Sequence, residues 1–194
     1  MAGTITTHNQ QGPDTLPASR PAEAEALIEQ FEAIYQEAEG DPSRIPWAHA
    51  RPCPAMVAWL NAEAPCLIRP GARVAVVGCG LGNDAVLLAQ RGYDVLAFDI
   101  CPTAIDWAKR LHPDHASSFI VADLFDLPAK MRHRFDLVVD VHTLQSLPPT
   151  CRTEMARGMA SMVCHGGHLL AICRGRDPEI PLAEVSAWIA ARRS

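Results

Sequence analysis

The sequence predicts an α/β fold, a doubly wound and mostly parallel sheet with helices on both faces and further helices ahead of it. Three observations predict it. Short, almost wholly apolar runs recur from Arg73 onward (VAVV, DVLAFD, SFIVA, RFDLVVDV and GHLLAIC), which is how strands buried on both faces read. Stretches with helical spacing separate these runs, the alternation that builds parallel sheets. A glycine-rich turn, GCGLG, follows the first run and opens the first of those helices.

Taken in order, residues 1–20 are rich in Thr, Gln, Pro and Gly without an apolar period, so a disordered tail is expected there. Residues 21–194 are then one domain, with 21–66 a helical segment ahead of the sheet. From Pro21, Leu27, Phe31, Ile34 and Tyr35 keep near-helical spacing up to Gly40. A Pro-rich connector leads to a short helix from about Ala55 to Ala64 that carries Met56, Trp59 and Leu60. After VAVV and its turn, NDAVLLAQRG is a helix closed by Gly92. DVLAFD is the second strand, and PTAIDWAKRL is a helix with Pro102 in its first turn. SFIVA and RFDLVVDV follow as strands three and four. The helix PPTCRTEMARGMASMV puts Met155, Met159 and Met162 on one side, a core pattern. GHLLAIC is the fifth strand, and a last helix is expected from Leu182 to about Arg192.

At 194 residues the chain has room for one sizeable core. A net charge of −5 and the lack of any basic run weigh against nucleic acid as a partner. The seven cysteines contain no C-x-x-C pair, so no metal site is expected and the thiols read as free in a reducing compartment. The N-terminus lacks the charged and apolar regions of a secretory signal, and no apolar run is long enough to span a bilayer. A cytoplasmic protein without membrane contact is expected.

Ligands of doubly wound sheets bind beyond the carboxyl ends of the strands, so the residues there are the candidates. Gly78, Cys79, Gly80, Leu81 and Gly82 follow the first strand, and Asp84 opens the helix. Glycines let the chain turn tightly and let a ligand approach helix N–H groups. A dinucleotide turn wants G-x-G-x-x-G, whereas here the third glycine comes one residue early. That spacing favours a nucleoside without a pyrophosphate. Asp99, next to Ile100, ends the second strand and suits ribose hydroxyls; Asp123, next to Leu124, ends the third and suits an adenine amino group. Asp140 ends the fourth, with His142 two residues on. Each acid alone is also a good cap or turn residue. Three acids at successive strand ends behind such a turn read together as a cofactor site.

These stretches resemble the class I methyltransferases that use S-adenosylmethionine (SAM), from about Pro46 to Cys173. More narrowly, PWAHARPCP, aligned on Pro46, Trp47 and Pro54, resembles the thiopurine and thiol/halide methyltransferase group. So does VVGCGLGNDAVLLAQRGYDVLAFDICPTAI through Asp84 and Asp99, and the run from Asp140 through Leu147, Pro149 and Arg152. Val76 stands where many methyltransferases carry an acid, an absence that group shares. The resemblance implies SAM as cofactor, and methyl transfer to a small soft nucleophile such as a thiol, thiopurine, halide or chalcogenide. It implies Gly78, Cys79, Gly80, Gly82, Asp84, Asp99, Ile100, Asp123, Leu124 and Asp140 around the cofactor. Trp47 would form part of a lid on the acceptor side, where His142, outside the group's pattern, is a candidate base or contact. The chain departs from the group at Ala48, Ala50, Cys101, Val141, His142 and Gln145. With no antiparallel strand pair after GHLLAIC, the fifth strand is expected to be an exposed edge and a possible homodimer contact. The alternative is a C-terminally shortened, non-catalytic SAM-binding or assembly module. A nucleotide-dependent oxidoreductase is disfavoured by the glycine spacing.

Overall fold

A computed structural model describes residues 2–5 and 22–175. The first strand, β1 (Ala2–Ile5), precedes α1 (Ala22–Glu37), α2 (Pro54–Ala62) and the short α3 (Ala64–Leu67). The alternating region runs β2 (Arg73–Val77), α4 (Asn83–Gln90), β3 (Asp94–Asp99), α5 (Pro102–Leu111) and β4 (Phe119–Val121). It continues with β5 (Phe135–Val141), α6 (Thr143–Ser146), α7 (Pro149–Met162) and β6 (Val163–Ile172).

The sheet order is β1-β6-β5-β2-β3-β4, and β2 to β6 run parallel to one another. The order reverses at β2: the chain moves outward through β3 and β4, then returns to β5 on the other side. Strand alternation assigns the two faces. Val74, Val76, Val95, Ala97, Leu137, Val139, Leu170 and Ile172 point into one core with Met56, Leu60, Val86 and Ile105. Ala75, Val77, Phe98, Val138 and Leu169 point into the other with Leu27, Met131, Met155, Met159 and Met162. Both faces are covered, which explains the unbroken apolar runs. The methionine stripe of α7 is core, as its spacing predicts.

The expected strands and helices are found with their ends moved by a few residues. Two expectations change. Ala2–Ile5, placed by composition in a disordered tail, pairs antiparallel with β6, Ala2 opposite Ile172 and Ile5 opposite Leu169. The β6 edge is therefore covered from within the chain, which removes the argument for a homodimer through it. The helix expected at 182–192 lies outside the described residues.

Candidate cofactor and acceptor site

Doubly wound sheets bind ligands where the strand order reverses, and the glycine turn, Asp99, Asp123 and Asp140 stand at the carboxyl ends of β2, β3, β4 and β5. The chain leaves β2 through Gly78, Gly80 and Gly82, at φ +59°, +51° and +86°. This left-handed conformation is costly for other residues. Packing also demands glycine at two of them. A Cβ on Gly78 would meet Thr143 at 2.4 Å, and one on Gly82 would meet the Phe119 ring at 2.6 Å. The turn is thus clamped between the start of α6 and β4.

Asp99 ties the turn to β3. One carboxylate oxygen accepts the Gly80 N–H at 2.9 Å and the other the Cys101 N–H at 3.0 Å. Burial pushes its carboxyl above the usual range, and these two bonds pull against that. The Ile100 N–H and the Cys101 thiol also bond to this carboxylate. Cys79 donates its N–H to Phe98 O at 3.0 Å, and its thiol is pushed well up by burial, so it reads as an inert wall.

Asp84 faces the loop before α2. Its Oδ1 accepts the Cys53 N–H at 2.7 Å, while Asn83 donates to His49 O at 2.7 Å. Asp84 therefore holds the 46–53 loop at the mouth of the site. Asp123 caps the 3-10 turn Leu124–Asp126 by accepting the Phe125 N–H at 2.9 Å, and Leu124 is buried below it. Ile100 is half-buried beside the cluster of Tyr35, Leu81 and Trp107.

Trp47 packs edge-on against Phe31 and Tyr35 of α1, and its Nε1–H donates to the Tyr35 hydroxyl at 2.9 Å. Tyr35 in turn lies over Gly80, its hydroxyl 3.2 Å from where a Cβ would stand. Sequence reasoning named Trp47 and missed Tyr35. The helical spacing assigned Tyr35 to a core face, and nothing local marks its hydroxyl as turned to the glycine turn. Glu32, one turn earlier, accepts from the Thr103 backbone and hydroxyl at the start of α5.

Asp140 is fully buried. Its Oδ1 accepts the Leu144 N–H at 3.1 Å, while Oδ2 has no partner. Desolvation raises its carboxyl to about 6. His142 sits at φ +66° with its N–H bound to Ile172 O at 2.8 Å, and its ring Nδ1 is also buried without a partner. Thr143 donates to Val77 O at 3.2 Å, pinning this corner to the glycine turn. Among the described residues no group of three or more His, Cys, Asp or Glu is arranged to hold a metal. No described helix is long and apolar enough to cross a membrane. A cleft of about 180 Å³ at the opposite end of the strands, under Arg73, Lys130 and Arg134, contains none of these residues.

Comparison with known proteins bears on this geometry. Residues 74–167 match a family model described as a methyltransferase domain. The chain is 35% identical over 127 residues to a ubiquinone biosynthesis O-methyltransferase of Xanthomonas campestris pv. campestris (strain B100), covering 63% of this chain and 52% of that protein. It thus spans about half the length of the curated relatives it matches. A structure solved for the conversion of a disulfide bond into a thioacetal group during echinomycin biosynthesis is similar at 32% identity and a TM-score of 0.61. That match covers 71% of this chain and 56% of that one. The phosphoethanolamine methyltransferase 2 of Haemonchus contortus, solved with S-adenosylhomocysteine, shares the fold at a TM-score of 0.64 and 16% identity, over 86% of this chain and 39% of that one. None of this singles out the thiopurine and thiol/halide group. The methyltransferase-domain match at 74–167 takes in just under half of the chain and runs from β2, through the glycine turn, into β6.

Proposed function

We propose that the protein transfers a methyl group from SAM to a small-molecule acceptor, with SAM held at the glycine turn between β2 and β5. The observation that carries this reading is the pairing of Asp99 with that turn. A buried carboxylate that orders Gly80 and Cys101 ends β3 directly beside the glycine turn, where it would accept from ribose hydroxyls. The residues present fit the cofactor in a second respect. The unpartnered Oδ2 of Asp140 is a buried acceptor at the end of β5, suited to a cationic ligand. When bound, SAM supplies an electrophilic methyl on a sulfonium. Gly78, Gly80 and Gly82 would let it approach the main chain, Asp99 would hold the ribose, and Asp123 would face the adenine. Asp84 would keep the 46–53 loop over the site, with Trp47 and Tyr35 closing the side toward α1.

The acceptor's reacting atom is the open part of this reading. The sequence resemblance favours a soft nucleophile. One relative is named an O-methyltransferase, and one similar structure comes from a disulfide-to-thioacetal conversion. Oxygen and sulfur both stand as acceptors on this reading.

The test of the cofactor is calorimetric titration with SAM and S-adenosylhomocysteine, with NAD as control. Micromolar binding of the first two and none of NAD is expected. No binding of either would overturn the proposal, and binding of NAD would replace it with nucleotide-dependent redox chemistry.

A further inference from the structure

Three buried polar atoms among the described residues lack a partner: Trp59 Nε1, Asp140 Oδ2 and His142 Nδ1. Trp59, on α2, lies in the packed core, but the other two stand within three residues of each other at the carboxyl end of β5. Native proteins keep few such atoms, and each calls for an account such as a catalytic role. His142 is held there against its backbone preference, in a left-handed conformation uncommon for a residue other than glycine. Three contacts hold it: its N–H on Ile172 O, the following Thr143 on Val77 O, and Leu144 N–H on Asp140. Such strain concentrates where a side chain must be aimed.

The ring's surroundings set its protonation. Burial, Arg174 and His49 push its proton affinity down, while Gln145 and Asp84 pull it up. Burial is the largest of these, so the ring is neutral at neutral pH and carries one bare nitrogen. A thiolate or a halide has no proton to give and needs no base. A hydroxyl is a poor nucleophile until its proton is accepted.

On the methyltransferase reading above, we infer that the acceptor is a weakly acidic hydroxyl and that His142 is the base that takes its proton. The hydroxyl oxygen forms the new C–O bond to the methyl, its O–H proton passes to the bare ring nitrogen, and the methyl–sulfur electron pair stays on sulfur. An ether, a neutral thioether and an imidazolium result, and the charge lost from the sulfonium reappears on the ring. Asp84, fixed by the Cys53 N–H, is the nearby acid that favours the imidazolium.

The test uses the full chain saturated with S-adenosylhomocysteine. The His142 imidazole resonance, assigned by its loss in His142→Gln, is followed as phenol or benzenethiol is added. Phenol should move it and benzenethiol should not. In parallel, a panel of phenols and matched thiols is assayed with SAM. The wild type should methylate phenols, with a rate that falls as acid protonates the ring. His142→Gln should lose roughly 10²–10⁴-fold of that rate, the usual share of a general base, and still bind S-adenosylhomocysteine. A resonance unmoved by phenol, methylation confined to thiols, or a variant that matches wild type on phenols would each overturn the inference. Failure to bind S-adenosylhomocysteine at all would instead strike the cofactor reading.

Discussion

Two carboxylates carry the sharpest expectations at the residue scale, and they act differently. Asp99 is bonded through both oxygens, so Asp99→Ala frees the Gly80 and Cys101 N–H groups and would also remove the proposed ribose contact. SAM binding should weaken by about 1–3 kcal/mol, the scale of lost hydrogen bonds to a charged group. Calorimetry at matched thermal stability reads this, and unchanged affinity would reject the ribose role. Asp140 is the opposite case, a carboxyl raised to about 6 by burial. Between the unfolded value and about 6 the native state binds the extra proton, so stability falls as pH rises through that window. Above it the cost of the buried charge is fully present. Asp140→Asn keeps an oxygen for the Leu144 N–H and removes the charge. The variant should gain on the order of 1–3 kcal/mol near neutral pH, and nothing near pH 4, in urea unfolding. It should also bind SAM more weakly. A variant no more stable than wild type at neutral pH would mean that Asp140 is already satisfied when ionised. Both acids were legible in the sequence because each ends an apolar strand. Their difference was not, since it depends on Gly80, Cys101 and Leu144 N–H groups that only the folded chain brings near.

At the scale of elements, the glycine turn and α6 act as one unit. Gly78 needs a positive φ and has Thr143 against it, while Thr143 bonds to Val77 O. Gly78→Ala carries a left-handed penalty of about 1–2 kcal/mol, and the 2.4 Å collision with Thr143 adds to it. Combining it with Thr143→Gly should relieve the collision and leave the conformational penalty. A double-mutant cycle in denaturant unfolding reads the coupling. Additive effects would show that the turn and α6 are not pressed together. The five parallel strands and their helices were readable because burial on both faces leaves continuous apolar runs at regular intervals. The short α6 and the 3-10 turns were not, since they lack enough residues to establish a period. Tyr35 shows the same limit. Its place on α1 was legible, but its closeness to Gly80 depends on how α1 docks, through Glu32 on Thr103 and Tyr35 against Trp107.

At the scale of the whole molecule, the sheet depends on its first few residues for closure on one side. β1 has only four residues, AGTI, of weak and mixed character, and nothing in its composition separates it from a tail. Its partner does. Leu169 to Ile172 is the carboxyl half of β6, alternately buried in both cores, and its outer backbone groups face β1. Without β1 these N–H and C=O groups form a bare edge next to apolar side chains, the arrangement that recruits another strand. Deleting residues 1–5 should therefore cost on the order of 1–4 kcal/mol, at roughly 0.5–1.5 kcal/mol net per hydrogen bond lost. It should also convert the protein to a self-associating species. Denaturant unfolding and sedimentation velocity measure the two effects, and hydrogen exchange locates them, with protection falling at Leu169–Ile172 and not at β2. Because β5 lies directly inside β6, fraying would reach the His142 N–H bond to Ile172 O next. The deletion should thus reduce methyl transfer more than it reduces SAM binding at the β2 turn. Equal losses in the two would mean that the site is indifferent to the edge, and that β1 serves stability alone.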